Sequence, residues 1–266
     1  MIRTFHHEDF AAAQLAEQKA RQGHVVSVCL PARDEEATVG HNVEVLRHTL
    51  VERVGLIDEI LVIDDHSTDD TAAVAAAADG DLIVWCDADI TDFGPRFVIG
   101  LVGPLLARPD VDFVKGFYDR PVDGSPHGGG RVTELMARPA IAALFPHLVS
   151  IVQPLAGEYA GRRSLLERLP FVQGYGVDLA LLVDIAELEG TEAIAQVDLG
   201  TRRHRNRPLD ELGPQALAVL QTALRRAGTG RGDRATLVRP DLEPVGVGVA
   251  ERPALIDVPA YRRRTA

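Results

Sequence analysis

Short runs of β-branched and other apolar residues alternate with segments of helical periodicity along the first 120 residues of the chain. Short continuous apolar runs are typical of strands buried on both faces of a parallel sheet. We predict strands at 25–30, 59–64, 82–89 and 112–120, and helices at 8–22, 37–53, 71–78 and 96–107. Because strand and helix alternate from the start, the pattern predicts an α/β fold with a mostly parallel sheet and right-handed crossovers.

The pattern changes after Tyr118, where a glycine-rich loop begins. The remaining predicted elements are a helical segment at 131–145 that Pro139 interrupts, turns with one short helix at 152–176, a helix at 177–190, a strand that ends at residue 200, and a helix at 209–228. We divide the chain into two halves of one domain, 1–118 and 119–227, and a tail, 228–266. Because Pro, Gly and Arg dominate the tail, we predict that it is loosely ordered.

The charge balance disfavours two classes of partner. The chain has 266 residues, with 28 Lys and Arg against 39 Asp and Glu, a net charge of −11. Proteins that bind nucleic acid or anionic membranes over their whole surface are usually basic, so we expect neither partner. Lys19 and Lys115 are the only lysines, and the other basic residues are arginines, which bind carboxylates and phosphates bidentately.

Cysteine usage and hydropathy bear on the cellular compartment. Cys29 and Cys86 each lie within an apolar run, so we expect buried free thiols rather than a disulfide. The first residues contain no apolar signal core, and no uninterrupted apolar stretch reaches the roughly 18–20 residues of a membrane span. We therefore expect a cytoplasmic protein that does not enter a membrane.

Asp87 and Asp89 form a D-x-D pair at the predicted end of a buried strand. Ligands of open parallel sheets bind beyond the carboxyl ends of the strands, and alternate residues of a strand share a face. Paired carboxylates at such a point suit Mg²⁺ or Mn²⁺, which usually keep substrate phosphates as further ligands. The alternative is that both aspartates only cap the following loop.

Two further loops that follow predicted strands suit a nucleotide. In PARDEEATVG, Arg33 is able to offset diphosphate charge, and Glu35 is able to accept from a ribose or base, because a loop entering a helix N-terminus favours anions. In IDDHSTDDT, an aspartate at the strand end is able to contact a base or ribose while Ser67 shapes the turn. For both loops, helix capping is the alternative.

The segments GGGRVTE and TRRHRNRP suit anionic ligands as well. The glycines permit close backbone approach, and Arg131 and Thr133 then open a helix, where an anion is favoured. The second segment crowds arginines around His204, which is a candidate third metal ligand because imidazole suits Mn²⁺. The alternatives are a solvated basic loop and a surface histidine.

Together these segments carry a resemblance to a known family. In chain order they are LPARDEEATVG, EILVIDDHSTDDT, DGDLIVWCDAD, GGGRVTEL, QPLAGEYAGRR, GYGVDLALLVD and VDLGTRRHRNRPL, which lie between Val25 and Leu220. They resemble glucosyl-3-phosphoglycerate synthases, which are retaining glycosyltransferases with a GT-A fold. The related mannosyl-3-phosphoglycerate synthases share many of these motifs, and GGGRVTEL and HRNRPL are the segments most specific to phosphoglycerate-accepting enzymes.

The resemblance implies roles for individual residues. For the donor, it implies that Pro31, Ala32, Arg33 and Glu35 hold uridine and diphosphate, that Asp65 and Ser67 lie near the base and ribose, that Asp87 and Arg202 lie near the diphosphate, and that Leu155, Gly157 and Glu158 line the sugar site. For the acceptor, it implies that Gly130, Arg131 and Thr133 hold the phosphate of 3-phosphoglycerate, with Asn206 at a further position. For the metal, it implies Asp89, Asp87 and His204 as ligands of Mg²⁺ or Mn²⁺.

Asp178 stands where the family usually has an acidic residue facing the sugar, often Glu. The resemblance makes Asp178, Arg202 and Glu158 the candidate catalytic residues. It further implies a same-face substitution in which the leaving diphosphate takes the acceptor hydroxyl proton, and a homodimer. The first half of the chain would then bind the sugar nucleotide and the second half the acceptor.

One departure from the family lies before Asp79. Family members have a further strand and helix there, with a Gly-Lys-Gly loop whose lysine approaches the donor, whereas here an alanine run leads directly into the segment DGD. Either the protein has lost this segment or the sequence omits it. Because deletion of a buried strand is costly, we favour omission.

The leading hypothesis is transfer of glucose from UDP-glucose to the 2-hydroxyl of 3-phospho-D-glycerate, within methylglucose lipopolysaccharide or compatible-solute biosynthesis. The first alternative is the mannosyl enzyme, which uses GDP-mannose. The second is a sugar-nucleotide-binding protein that no longer catalyses, and the third is an inverting GT-A enzyme with a general-base carboxylate.

Overall fold

The computed structural model describes residues 1–32, 35–64, 78–121, 130–203, 208–230, 232–240 and 242–261, with the backbone alone for Asp64. The strands in these ranges are β1 (Arg3–His6), β2 (Val26–Ala32), β3 (Glu59–Asp64), β4 (Leu82–Trp85), β5 (Phe113–Asp119), β6 (Tyr159–Arg162), β7 (Phe171–Val172), β8 (Ile194–Thr201), β9 (Arg234–Arg239), β10 (Leu242–Gly248) and β11 (Glu251–Arg252). The α-helices are α1 (Ala12–Gln22), α2 (Glu36–Leu46), α3 (Arg96–Ala107), α4 (Arg138–Leu144), α5 (Arg163–Leu166), α6 (Val177–Glu189) and α7 (Leu209–Arg226).

The central sheet confirms the predicted mostly parallel α/β fold. Over the described residues it has seven strands in the order β1-β8-β5-β6-β4-β2-β3. All neighbours pair in parallel except those of β6, which is antiparallel to both β4 and β5. The central strands β2 and β4 are buried nearly throughout, as their continuous apolar sequences predict.

Helices cover both faces of this sheet, as the sequence predicts. On one face a core includes Leu15 of α1, Leu46 of α2 and Phe97 of α3. On the other face a second core includes Leu179 of α6 and Val219 of α7. Helices α6 and α7, from the second half of the chain, therefore pack on one face of the sheet. Helices α1, α2 and α3, from the first half, pack on the other face.

Two strands of the sheet are absent from the sequence-based prediction. β1 has the polar sequence RTFH and lies at the sheet edge, parallel to β8. β6 has the sequence YAGR, in which small residues replace the expected apolar run. Both become strands through pairing with neighbours that have stronger β sequences, a tertiary effect that local propensity does not report.

The third predicted strand, 82–89, is shorter in the structure and ends at Trp85. Antiparallel pairing with β6 also ends there, because Tyr159 is the first residue of β6 and pairs with Trp85. Asp87 and Asp89 therefore lie in the loop after β4 rather than on one face of a strand.

The prediction that the tail from residue 228 is loosely ordered is wrong for its described residues. β9 and β10 form an antiparallel hairpin, and β11 pairs with β7. Val247 and Val249 are buried in a small core with Val172, Ala180 and Ala218. These apolar residues, scattered among Pro, Gly and Arg, hold the tail against α6 and α7.

Cys29 and Cys86 are buried and free, as the sequence predicts. Burial raises the pKa of both thiols above the ordinary value, which makes them unreactive. Among the helices that the structure describes, none combines the length and the apolar character needed to cross a membrane.

Candidate active site

A cavity of about 240 Å³ opens beyond the carboxyl ends of the central strands. Its lining residues are Asp87, Asp89, Arg120, Gly130, Arg131, Val132, Thr133, Leu155, Gly157, Tyr175, Asp178, Arg202, Leu212, Gln215 and Val219. This is the edge at which open α/β sheets bind ligands. The cavity thus brings together nine of the residues predicted from the sequence, which come from five separate segments of the chain.

At one end of the cavity, two carboxylates converge on one guanidinium. Arg202 Nη2 donates to Asp87 Oδ2 at 2.8 Å and to Asp89 Oδ1 at 2.7 Å. Arg202 follows the last residue of β8 and is 4% exposed. The two aspartates are therefore close enough to share a single cation, although they lie in a loop.

Behind this guanidinium lies a buried polar network. Tyr118, in β5, donates its hydroxyl to Glu158 Oε2 at 2.5 Å and accepts from Arg202 Nη1 and Arg120 Nη2, each at 2.8 Å. Burial raises the pKa of Glu158 above its usual range, while the guanidinium of Arg202 opposes this rise. The network fixes the plane of the Arg202 guanidinium.

Glu158 does not line the cavity. Its side chain is 0% exposed, and its Oε1 lies 3.5 Å from Arg202 Nη1. The expectation that Glu158 lines the sugar site does not match this position, because the fold turns the side chain inward beneath Arg202. The geometry makes Glu158 a support for Arg202 rather than a group that touches substrate.

Gly157 contributes by its lack of a side chain. A Cβ at this position would lie 2.4 Å from Asp87 Oδ1 and 2.6 Å from Asp87 Oδ2. No real contact is that short, so only glycine allows the chain to pass this close to the carboxylate.

Another part of the cavity wall is built from the start of a helical segment. Gly130 has φ of +80°, and its carbonyl accepts from the Glu134 amide at 3.0 Å, which begins the segment. Arg131 and Thr133 of this first turn line the cavity. A helix start that carries an arginine suits a phosphate or carboxylate.

Asp178 forms part of the cavity floor in the first turn of α6. Its Oδ1 accepts from Lys115 Nζ at 2.5 Å. Burial raises the pKa of Asp178, and the Lys115 ammonium opposes this rise. The carboxylate therefore lies between a buried cation and the cavity.

Several lining residues have no signal in the sequence analysis. Arg120 directly follows β5 and is the last residue of the predicted strand 112–120, but no motif there indicates a ligand-binding role. Leu212, Gln215 and Val219 belong to α7, and only tertiary packing brings them beside Asp87 and Asp89. No local motif marks such residues.

The remaining predicted site residues do not line this cavity or lie outside the described residues. Pro31 and Ala32 end β2, and Glu35 precedes α2, where its carbonyl accepts from the amides of Thr38 and Val39. Other predicted site residues lie outside the described residues: Arg33, Asp65, Ser67, His204 and Asn206.

The residues present fit a divalent cation. Asp87 and Asp89 already share one cationic partner, and carboxylate oxygens are the ligands that Mg²⁺ and Mn²⁺ prefer. No set of three His, Cys, Asp or Glu side chains within the described ranges converges as a metal site. Two carboxylates that leave the other coordination positions to a substrate diphosphate are consistent with this observation.

Comparisons with curated proteins give close relatives over nearly the whole chain, although no family model matches it. The chain is 39% identical to glucosyl-3-phosphoglycerate synthase of Petrotoga mobilis, an alignment that covers 98% of this chain and 96% of the relative. It is 45% identical to the Mycolicibacterium smegmatis protein of the same name, over 79% and 80% of the two chains. The Petrotoga alignment is 311 positions long, so some positions of that relative have no counterpart among the 266 residues here.

Solved structures agree with the sequence relatives. Glucosyl-3-phosphoglycerate synthase from Mycobacterium tuberculosis in complex with phosphoglyceric acid matches with a TM-score of 0.83 at 39% identity, covering 96% of this chain and 98% of that one. The same enzyme with Mn²⁺, UDP-glucose and phosphoglyceric acid matches with a TM-score of 0.82 at 38% identity, with the same coverage. Mannosyl-3-phosphoglycerate synthase from Rubrobacter xylanophilus matches with a TM-score of 0.83 at 33% identity, over 96% and 97% of the two chains.

The cavity, its paired carboxylates and its arginine-bearing helix start lie in a chain that shares both sequence and GT-A architecture with these enzymes. The chain belongs to the glucosyl-3-phosphoglycerate synthase family of glycosyltransferases.

Proposed function

We propose that the cavity transfers glucose from UDP-glucose to the 2-hydroxyl of 3-phospho-D-glycerate with retention of configuration. One observation carries the proposal: the carboxylate pair Asp87 and Asp89 and the anion-binding turn with Arg131 line the same cavity. A donor diphosphate with its metal and a phosphorylated acceptor need such sites within reach of each other. Relatives that bind UDP-glucose and phosphoglyceric acid support the proposal.

The two ends of the cavity take different substrates. Residues 1–118 supply Asp87 and Asp89 for the sugar nucleotide, together with Pro31, Ala32, Arg33, Glu35, Asp65 and Ser67. Residues 119–227 supply the acceptor site, in which Arg131 and Thr133 bind the phosphate and Asn206 a further group. Leu155 and Gly157, which also line the cavity, border the glucosyl ring.

Asp89, Asp87 and His204 are the proposed ligands of Mg²⁺ or Mn²⁺. The metal, when bound, stabilises the negative charge of the leaving UDP. Arg202 contributes to the same task because its guanidinium is held at the carboxylate pair by Tyr118 and Glu158.

The reaction we propose is a same-face substitution. The bond between the glucosyl carbon and the diphosphate oxygen breaks, and a bond to the acceptor 2-oxygen forms on the same face. The acceptor hydroxyl proton passes to the departing diphosphate. Asp178 accepts hydrogen bonds from the sugar and orients it, and the helix start at Arg131 fixes the acceptor.

The mannosyl activity with GDP-mannose is the second candidate. Its support is the structural similarity to the Rubrobacter xylanophilus mannosyl enzyme, whose TM-score of 0.83 equals that of a glucosyl enzyme. Both candidates use the same acceptor, so they differ only in the donor.

We also propose a homodimer in the cytoplasm. The resemblance supports the dimer, and two buried free thiols suit a reducing compartment. Size-exclusion chromatography with light scattering should give twice the chain mass of 28.7 kDa, and a mass of one chain would contradict the dimer.

A donor comparison tests the proposed function. The protein is incubated with 3-phosphoglycerate, Mg²⁺ and either UDP-glucose or GDP-mannose, with and without chelator, and the product is identified by NMR. We expect glucosyl-3-phosphoglycerate with the α-anomeric bond, formed only without chelator. Preferred use of GDP-mannose would support the second candidate, and nucleotide binding without transfer would support a binding protein.

A further inference from the structure

Lys115 is a buried cation without a role in the function proposed above. It lies in β5, opposite Tyr159 of β6 and Gln196 of β8, and is 1% exposed. An ammonium taken out of water at this depth is costly unless a counter-charge is in contact with it. The identity of its partner therefore indicates its purpose.

That partner is Asp178. Lys115 Nζ donates to Asp178 Oδ1 at 2.5 Å and lies 4.8 Å from the ring centroid of Tyr159. The Tyr159 ring in turn stacks on Trp85. In the part of the chain that the structure describes, Asp178 is the one carboxylate paired with this ammonium.

Asp178 connects this buried pair to the cavity. Its side chain is 17% exposed and belongs to the lining, together with Leu155 and Gly157. Lys115 itself does not line the cavity. Lys115 therefore has no surface in the cavity, and its direct contact with the lining is its hydrogen bond to the Asp178 carboxylate.

We propose that Lys115 is a positioning residue for sugar recognition, which holds Asp178 ionised and oriented so that its carboxylate accepts hydrogen bonds from hydroxyls of the donor glucose. The inference rests on the proposed function, because it takes the cavity to be the donor-sugar site. The side chain of Asp178 is shorter than that of the glutamate often found at this position in the family. Its hydrogen bond to the Lys115 ammonium fixes the place of its carboxylate in the cavity lining.

Electrostatics gives this arrangement a measurable signature. Burial raises the pKa of Asp178, and Asp87 across the cavity raises it further, while Lys115 and Arg120 lower it. When Lys115 is replaced by Met, the main opposing charge is lost. The Asp178 pKa then rises, so the carboxylate protonates at a higher pH than in the unchanged protein.

Calorimetric titration with UDP-glucose and with UDP, both in Mg²⁺, tests the proposal. Lys115→Met and Asp178→Asn should each weaken UDP-glucose binding roughly tenfold or more, the effect of a lost charged hydrogen bond, with UDP binding unchanged within about twofold. The double variant should bind UDP-glucose as Asp178→Asn does, because Lys115 acts only through Asp178.

A matched control breaks a different buried pair. Arg226 Nε lies 2.6 Å from Asp184 Oδ1, with both side chains 12% exposed, and the pair joins α7 to α6 away from the cavity lining. Arg226→Met should leave both affinities unchanged. The acid limb of kcat/KM for UDP-glucose should move to higher pH in Lys115→Met, but not when Lys115→Met is added to Asp178→Asn.

Parallel weakening of UDP and UDP-glucose in Lys115→Met would overturn the proposal, as would additive losses in the double variant. If Lys115→Met does not fold, the double variant, which contains neither charge of the pair, still tests the proposal. Its UDP-glucose affinity is then compared with that of Asp178→Asn, and the two should be equal. Absence of glucose transfer by the unchanged protein would refute the proposed function. Normal transfer, with Lys115→Met binding both ligands normally, would refute this inference alone.

Discussion

The side chains around the carboxylate pair of the cavity form one charge network. Arg202 contacts Asp87 and Asp89 on the cavity side and Tyr118 and Glu158 on the buried side. The sequence indicated the aspartates through their place after a strand and Arg202 through family resemblance. It does not indicate Tyr118, because a tyrosine within a mostly apolar strand is expected to be a residue of the hydrophobic core.

Replacement of Arg202 tests how much this network contributes to stability. Arg202→Met leaves Glu158 fully buried without its cation, which should lower the free energy of unfolding by about 3–5 kcal/mol. Adding Glu158→Gln should recover at least about 1 kcal/mol of this loss, since the unpaired charge is then absent. Urea unfolding measures both. The exposed neighbour provides the control Arg203→Met, and equal stability of the single and double variants would contradict the network.

Replacement of Gly157 tests the close approach to Asp87. In Gly157→Ala the new methyl would displace a carboxylate that lies 2.4 Å from its position, so Mn²⁺ affinity in the presence of UDP should fall roughly 10- to 100-fold. The matched control is Gly40→Ala in α2, where an added Cβ meets nothing within 4 Å. Calorimetry with Mn²⁺ measures the effect, and identical affinities of the two variants would show that Asp87 tolerates the methyl.

At the scale of elements, the sequence predicts strands and helices where local signals are strong. The bounds of β3 and α3 agree with the prediction, because a compact apolar run and a Pro at the helix start define them. β6 was missed because its small residues carry no β signal. It is a strand because it fills the gap between β4 and β5.

The ordered tail offers a prediction at this scale. Val249 is 0% exposed and packs in the small core that joins the tail to α6 and α7. Val249→Ala should therefore lower the free energy of unfolding by about 1–3 kcal/mol. The control Val238→Ala, at a side chain that is 69% exposed, should change it by less than about 0.5 kcal/mol. Equal small effects in urea unfolding would mean that the tail does not pack in solution.

At the scale of the whole molecule, the sheet has an apolar strand at one edge. Over the described residues the order ends at β3, and Val62 in that strand is 47% exposed. The resemblance places an additional strand and helix in this part of the chain, before Asp79. An apolar side chain exposed in an edge strand leaves that edge able to pair with a further strand.

The net charge of −11 describes the whole chain and not the cavity. Arg120, Arg131 and Arg202 line one cavity and offset the charges of Asp87, Asp89 and Asp178 beside them, so the cavity does not share the negative net charge of the chain. Composition alone disfavours nucleic acid as a partner but does not reveal these arginines at one cavity.

The central claim is that one cavity holds the donor at the carboxylates and the acceptor at Arg131, and initial-rate kinetics of Arg131→Ala test it most directly. UDP release is measured while 3-phosphoglycerate and UDP-glucose are varied in turn, with Arg138→Ala, farther along the same helical segment, as control. Loss of one charged phosphate contact should raise the KM for 3-phosphoglycerate roughly 10- to 150-fold, with the KM for UDP-glucose within about threefold. Equal increases in both KM values would contradict the account.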